Sequence, residues 1–252
     1  MNYNWNWGIF FELEPGASGT YLQYLLGGLG WTLVTAAFAW VLALALGVLV
    51  GTLRTTGHKG IERVCFAYTE LFRNVPLLVQ MFLWYFVLPE LLPKALGDGM
   101  KAMTPPWASL VPAVLCLGIF MSVRVAEQVR SGIQSLPKGQ QMAGLAIGLS
   151  RAQTYRYVLL PMVFRIILPP LTSEFLNTIK NSSLALTIGL MELTARARAM
   201  QEFSFQVFEA FAAATVIYLV VNLLVVLAMR HVERKIRVPG FIGSPNSTAA
   251  GH

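Results

Sequence analysis

The sequence predicts an all-α membrane protein with about five transmembrane helices, its N-terminus outside and its C-terminus inside. Three observations carry this. Hydrophobic residues make up 56% of the 252-residue chain and charged residues only 12%, about half the charged share of soluble domains. Several apolar runs are long enough to cross a hydrocarbon core at about 1.5 Å per helical residue. The basic residues sit between those runs instead of forming stripes on a soluble surface, which argues against a nucleic-acid binder.

No charge occurs between residues 15 and 53, and residues 31–53 are almost wholly apolar, which makes them the first span. No Lys or Arg precedes Arg54, so a cleaved signal peptide with a basic n-region is not expected. Gly47 and Gly51 form a small-xxx-small step that allows close helix approach. Gly27-Gly28-Leu29-Gly30 follows no strand, so it reads as helix entry or flexibility, not as a dinucleotide site. A basic loop, 54–63, leads to a second span at 74–89 with Glu70 and Arg73 near its start. A Pro/Gly-rich loop runs to Pro106, and Trp84, Tyr85 and Trp107 are expected as interfacial anchors. The third span begins at 109–123, with Arg124 and Glu127 at its far end. The fourth holds Pro161, Pro169, Pro170, Glu174 and Lys180 and is expected to be irregular. Residues 192–202 read as a polar loop and 210–229 as a clean fifth span. The tail is basic and then Gly/Pro/Ser-rich, so 239–252 is expected to be flexible. Cys65 and Cys116 lie in or beside apolar segments and are expected as buried thiols.

Five spans put the termini on opposite sides. With the N-terminus outside, the inner segments hold eleven basic residues and the outer segments four, so the positive-inside rule selects N-out, C-in. The same count places residues 135–161 in the cytoplasm. There Met142, Leu145, Ala146 and Leu149 repeat at helical spacing. Gly148 sits where a helix would end in a left-handed residue. Ser150 and Gln153 are spaced as a capping box for a second short helix, which Pro161 is expected to stop or kink.

Ionisable residues within spans face a bundle interior, a cavity or each other. Glu70 and Arg73 are three apart and read as an internal pair. Arg124 and Glu127 share that spacing, and read either as a pair or as part of a solute path. The run from Glu174 to Ser183 places polar groups just after a double proline, as expected of a broken helix lining a path. No G-x-x-x-x-G-K-[ST] occurs, so the chain does not cradle ATP itself. His58, His231 and His252 form no metal-ligand cluster, and neither G-x-S-x-G nor H-E-x-x-H is present. The chain is read as non-enzymatic, with no cofactor or metal of its own.

The 135–161 stretch resembles the EAA loop of the membrane subunits of binding-protein-dependent ABC importers. That pattern is E-A-A, three residues, G, nine residues, then I-x-L-P. Here Gly148 is followed by nine residues and then Val158-Leu159-Leu160-Pro161. The family glutamate falls on Met142, and the alanines on Ala143 and Gly144. The stretches at 70–80, 133–140 and 168–183 are similar to the polar amino acid branch of that family. The run Arg124-Val-Ala-Glu-Gln-Val-Arg130, with 4–10 and 232–239, resembles its glutamate/aspartate permeases. Many relatives carry an aromatic residue at the position of Arg124.

The resemblance implies a type I importer transmembrane domain, multi-pass in the bacterial inner membrane. It implies a second permease subunit (a different chain or a second copy of this one), two cytoplasmic ATPases that hold ATP and Mg, and a periplasmic solute-binding protein. It makes 131–161 the coupling loop, with Met142, Ala143, Gly144, Gly148, Leu149, Ser150 and Arg151 facing the ATPase. It makes the solute a polar amino acid. For an acidic one, Arg124 and Lys180 suit the carboxylates, while Glu174, Asn177, Asn181 and Ser183 suit the ammonium or line the path, with Arg73 beside them. A permease for glutamine or arginine is the alternative. A stand-alone carrier or channel would need inverted repeats, which are not evident, and a bare scaffold would not need polar groups in the fourth span.

Overall fold

The computed structural model describes residues 3–15 and 19–236, so the expected flexible tail at 239–252 lies outside the described residues. Apart from one isolated bridge, Leu13 with Thr20, the described residues carry only helices. Among the described residues four helices are long and apolar enough to cross a membrane, or five if one bent pair counts as a single span.

Helix α1 (Tyr21–Leu53) starts ten residues before the expected span because Thr20 and Gln23 cap it reciprocally. The four glycine-region residues at 27–30 therefore lie inside α1, not at its entry. Helix α2 (Lys59–Asn74) begins within the stretch read as a basic loop. It meets α3 (Leu77–Phe82) at a bend of 100°, so the expected second span is not one straight run over 74–89 but part of a bent pair. Pro76 is the cause. It lacks an N–H and forces Val75 out of the helical region, to φ −100° and ψ 130°. The Gln80 side chain then donates to the carbonyls of Phe72 and Val75 at 2.8 and 2.9 Å, partnering groups freed at the end of α2. A π-helical turn, Leu83–Val87, continues into α4 (Leu88–Leu91), and α5 (Lys94–Lys101) follows. Trp84 and Tyr85 pack partly buried against the main core, while Trp107 is exposed.

Helix α6 (Trp107–Ser135) is the centre of the bundle: 61% of its most apolar window is buried, against 11% for α11 (Val207–Ile236). It lies directly on α1. A Cβ at Gly47 would stand 2.8 Å from the Ser122 carbonyl oxygen, and one at Gly51 2.6 Å from that of Ala126. Backbone packs on backbone there, as the small-xxx-small step predicts. Cys65 and Cys116 are free and buried.

Helices α7 (Lys138–Ala146) and α8 (Arg151–Thr154) form the expected helix-turn-helix. Pro161 neither stops nor isolates the second helix. The chain stays helical from Arg151 to Ile188, through a π turn at Tyr155–Leu159 and α9 (Leu160–Asn181). The wider π turn lies just before the proline and absorbs its missing hydrogen bond and its ring. Pro169 and Pro170 also sit inside α9. The irregular part of this crossing comes later, as the 3₁₀ stretch Ser182–Ile188, ended by Gly189 at φ +85°.

Residues 192–202 are no loop but the start and body of α10 (Leu193–Ser204). Glu192, fully buried, accepts from the Thr194 and Ala195 amides at 3.0 and 2.8 Å, from Thr32 at 3.3 Å and from Tyr218 at 3.0 Å. Burial pushes its carboxyl pKa up, against these four bonds, which pull it down. Arg196 lies over Gly27 and Gly28 and donates to the Tyr24 carbonyl at 2.7 Å. At the start of α11, Glu209 accepts from Tyr3 and from the Asn6 amide. We expect Glu192→Ala to cost about 3 kcal/mol, because it removes the cap and strands buried donors. Glu192→Gln, which keeps an acceptor, should cost less. Thermal melts of the two variants check this ordering, and equal melts would remove Glu192 as the fastening of α10.

Candidate functional site

Helix α7 closes through Ile147 N–H to the Ala143 carbonyl and Leu149 N–H to the Gly144 carbonyl, both at 3.2 Å. Gly148 then takes φ +89°, a region that β-branched residues enter only under strain. The next residue but one starts α8: Ser150 Oγ accepts from the Gln153 amide at 3.2 Å, and Gln153 Oε1 accepts from the Ser150 amide at 2.8 Å. Gly144 is buried, and a Cβ there would stand 2.9 Å from Thr154 Cγ2, so α7 and α8 touch at this point. The result is a short two-helix unit with both ends of its turn hydrogen-bonded.

Its apolar side faces outward. Met142 is 67% exposed, and Ile147, which sequence reasoning passed over, is 77% exposed. Ala143, Ser150 and Arg151 are exposed and Leu149 is half-buried. Ile147 had a local signal, an apolar residue immediately before a helix-ending glycine. At the base of the unit, the Tyr155 hydroxyl donates to the Thr55 carbonyl at 2.8 Å.

The charged residues of the spans are partnered differently from their spacing. Arg73 does pair with Glu70, at 2.6 Å. Arg124 and Glu127 do not pair. The tight α1–α6 seam carries Arg54, at the end of α1, onto Glu127, and the two form an ion pair. The other carboxylate oxygen of Glu127 accepts from Arg130 Nε and Nη2 at 3.0 and 2.9 Å. Arg124 is left facing α9, with Nη1 3.7 Å from Glu174 Oε2 and its guanidinium 5.7 Å from the Phe120 ring centre.

Arg73, Phe120, Arg124, Glu127, Gln128 and Glu174 line one cavity of about 240 Å³. Asn177 reaches it through Glu174, donating at 3.4 Å. Lys180, Asn181 and Ser183 do not line it. Lys180 is exposed, and Ser183 donates to the carbonyl of Lys180 in its own turn. Arg124 stands eleven residues before the end of α6, about 17 Å along a helix axis, which is about half a hydrocarbon core. Phe120 and Gln128 were not singled out by sequence, and they flank Arg124 one turn away on either side.

Comparisons with known proteins bear on the family and the fold. A family model described as the binding-protein-dependent transport system inner membrane component matches residues 43–238. The glutamate/aspartate import permease protein GltJ of Escherichia coli (strain K12) is 46% identical over 244 residues, which are 96% of this chain and 99% of that one. The glutamine transport system permease protein GlnP of the same strain is 33% identical over 94% of this chain and 100% of its own length. Among solved structures, an amino acid ABC transporter crystallised with histidines matches with a TM-score of 0.70 and 30% identity, over 85% of this chain and 95% of that one. The inward-facing MetNI methionine ABC transporter matches with a TM-score of 0.69 at 19% identity, over 90% of this chain and 100% of that one, a likeness of fold. With the type I importer helices in place and the family match spanning most of its length, this chain belongs to the inner membrane components of binding-protein-dependent transport systems.

Proposed function

We propose that the chain is the permease subunit of an ATP-driven importer of glutamate and aspartate. The observation that carries this reading is the cavity in which Arg73, Arg124 and Glu174 meet. At 3.7 Å the Arg124–Glu174 pair is looser than a direct charge-assisted hydrogen bond of about 2.8 Å. A zwitterion entering there can exchange partners with it: a carboxylate goes to Arg124 and the ammonium to Glu174 and Asn177. Arg73 meets a second carboxylate, the role expected of Lys180, which lies outside the cavity. Arg124 and Arg73 are half-exposed, so a second permease subunit closes the path over this face. The similarity to a permease named for glutamate and aspartate supports the same solute.

Drive comes from two cytoplasmic ATPases that hold ATP and Mg, and solute from a periplasmic binding protein. Met142, Ala143, Gly148, Leu149, Ser150 and Arg151 meet the ATPase, and Gly144 sets the angle between α7 and α8. A turn capped on both sides is stiff enough to carry displacement instead of absorbing it. In reconstituted transporter, Arg124→Tyr should lower glutamate uptake relative to glutamine at least about tenfold, the loss of one charge-assisted contact. An unchanged preference would overturn the acidic solute and favour the glutamine reading. Ion-gradient-driven glutamate uptake by the chain alone in liposomes would overturn the subunit reading altogether.

A further inference from the structure

A second cationic cleft lies away from the solute cavity and shares no residue with it. Arg165 on α9 and Arg230 and Arg234 on α11 line a cavity of about 220 Å³, with Leu168, Pro169 and Ile236 as apolar walls. Among the described residues none of the three arginines has an ion-pair partner within 4.0 Å. The one carboxylate that borders the cleft, Glu233, accepts from the Thr172 hydroxyl at 3.0 Å, so it is turned toward α9.

Three cations around one small cleft repel each other, and the arrangement is stabilised by an anion placed among them. The position selects which anion. Arg230 and Arg234 lie near the end of α11 on the side that the basic-residue count assigns to the cytoplasm, where the leaflet surface is negative, and Arg165, five residues into α9, borders the same cleft. Two or three guanidinium groups match the oxygens of a phosphate in bidentate fashion. The apolar walls suit what lies just below such a phosphate in a lipid, the glycerol backbone and the first methylenes. A free phosphate would leave those walls wet. We propose that the Arg165–Arg230–Arg234 cleft binds the phosphodiester headgroup of an anionic phospholipid of the inner leaflet, tying α11 to α9 through a lipid.

The test uses the assembled transporter, purified with its partner subunits, stripped of lipid by detergent and titrated with phosphatidylglycerol while retained lipid is counted by native mass spectrometry. Wild type should retain phosphatidylglycerol saturably and in preference to phosphatidylcholine. Each single Arg→Gln change should weaken retention about fivefold, the equivalent of about 1 kcal/mol per basic residue at a membrane surface. The triple change should abolish it, and Arg→Lys changes should fall between. Millimolar inorganic phosphate should not displace the lipid. Equal retention by wild type and the triple variant would overturn the site. Displacement by inorganic phosphate would overturn the lipid as its occupant. If the triple variant does not assemble, wild type holding phosphatidylcholine as well as phosphatidylglycerol would overturn the proposal on its own.

Discussion

Gly47→Leu is expected to lower the melting temperature of the transporter by about 10 °C or to prevent its assembly. The side chain has nowhere to go. The Cβ alone would stand 2.8 Å from the Ser122 carbonyl oxygen and would also strike the Val125 side chain. The nearest obstacle, Val125 Cβ at 2.5 Å, and the Ser122 carbonyl both stay in place through any rotamer change, so α1 and α6 must move apart along the seam that includes Gly51. Overpacking a tight core costs about 1–3 kcal/mol and occasionally more. At about 2–4 °C per kcal/mol for a chain of this size, the upper part of that range is the expected fall. Separation of the helices also withdraws Arg54 from Glu127 and leaves a largely buried arginine unpaired, which adds to the loss. Gly47→Ala should fall between wild type and leucine. A leucine variant that melts within a degree or two of wild type would show that the seam is not tight.

Gly148→Ile is expected to cut uptake about tenfold or more while ATP hydrolysis continues and the protein remains inserted and folded. At φ +89° an isoleucine is strained by about 1–3 kcal/mol, and the cheapest relief is to turn the residue out of the left-handed region. That swings α8 and its Ser150–Gln153 cap away from α7. No neighbour lies within 4 Å of a Cβ at Gly148, so the change disturbs the turn without filling the core. This separates lost coupling from lost stability. Gly148→Asn, a residue that tolerates the left-handed region, should retain most uptake. Paired assays of ATP hydrolysis and solute accumulation on the same reconstituted samples decide the matter. Full uptake by the isoleucine variant would sink the assignment of this turn to coupling.

The features legible in the sequence are those written within a few residues of each other. The capping box at Ser150 and Gln153, the left-handed Gly148 and the Glu70–Arg73 pair each need only local spacing, and the structure has all three. The Gly47–Gly51 step was legible for the same reason, although its partner, α6, was not. Pro161 reads as a stop or kink and Pro76 draws no reading at all, because a proline's effect depends on what its neighbours can absorb. Beside Pro161 a π turn keeps the helix going, whereas at Pro76 the chain bends and Gln80 covers the exposed carbonyls. The charge partners were misread because proximity in space overrode proximity in sequence. Arg54 and Glu127 are 73 positions apart, so no spacing rule connects them, and their pairing is what leaves Arg124 to Glu174. Lys180 was assigned to the solute by its company in the polar run, but helical rotation turns it out of the cavity.

Thr55 and Arg54 are consecutive residues with different attachments. The Thr55 carbonyl is held by Tyr155 at the base of the helix-turn-helix, and the Arg54 guanidinium by Glu127, one turn from Arg124. One peptide unit therefore separates the residue tied to the base of the helix-turn-helix from the residue tied to Glu127, which lines the cavity. Peptide planes do not stretch, so the end of α1 clasps α6 to the base of the helix-turn-helix at a fixed spacing.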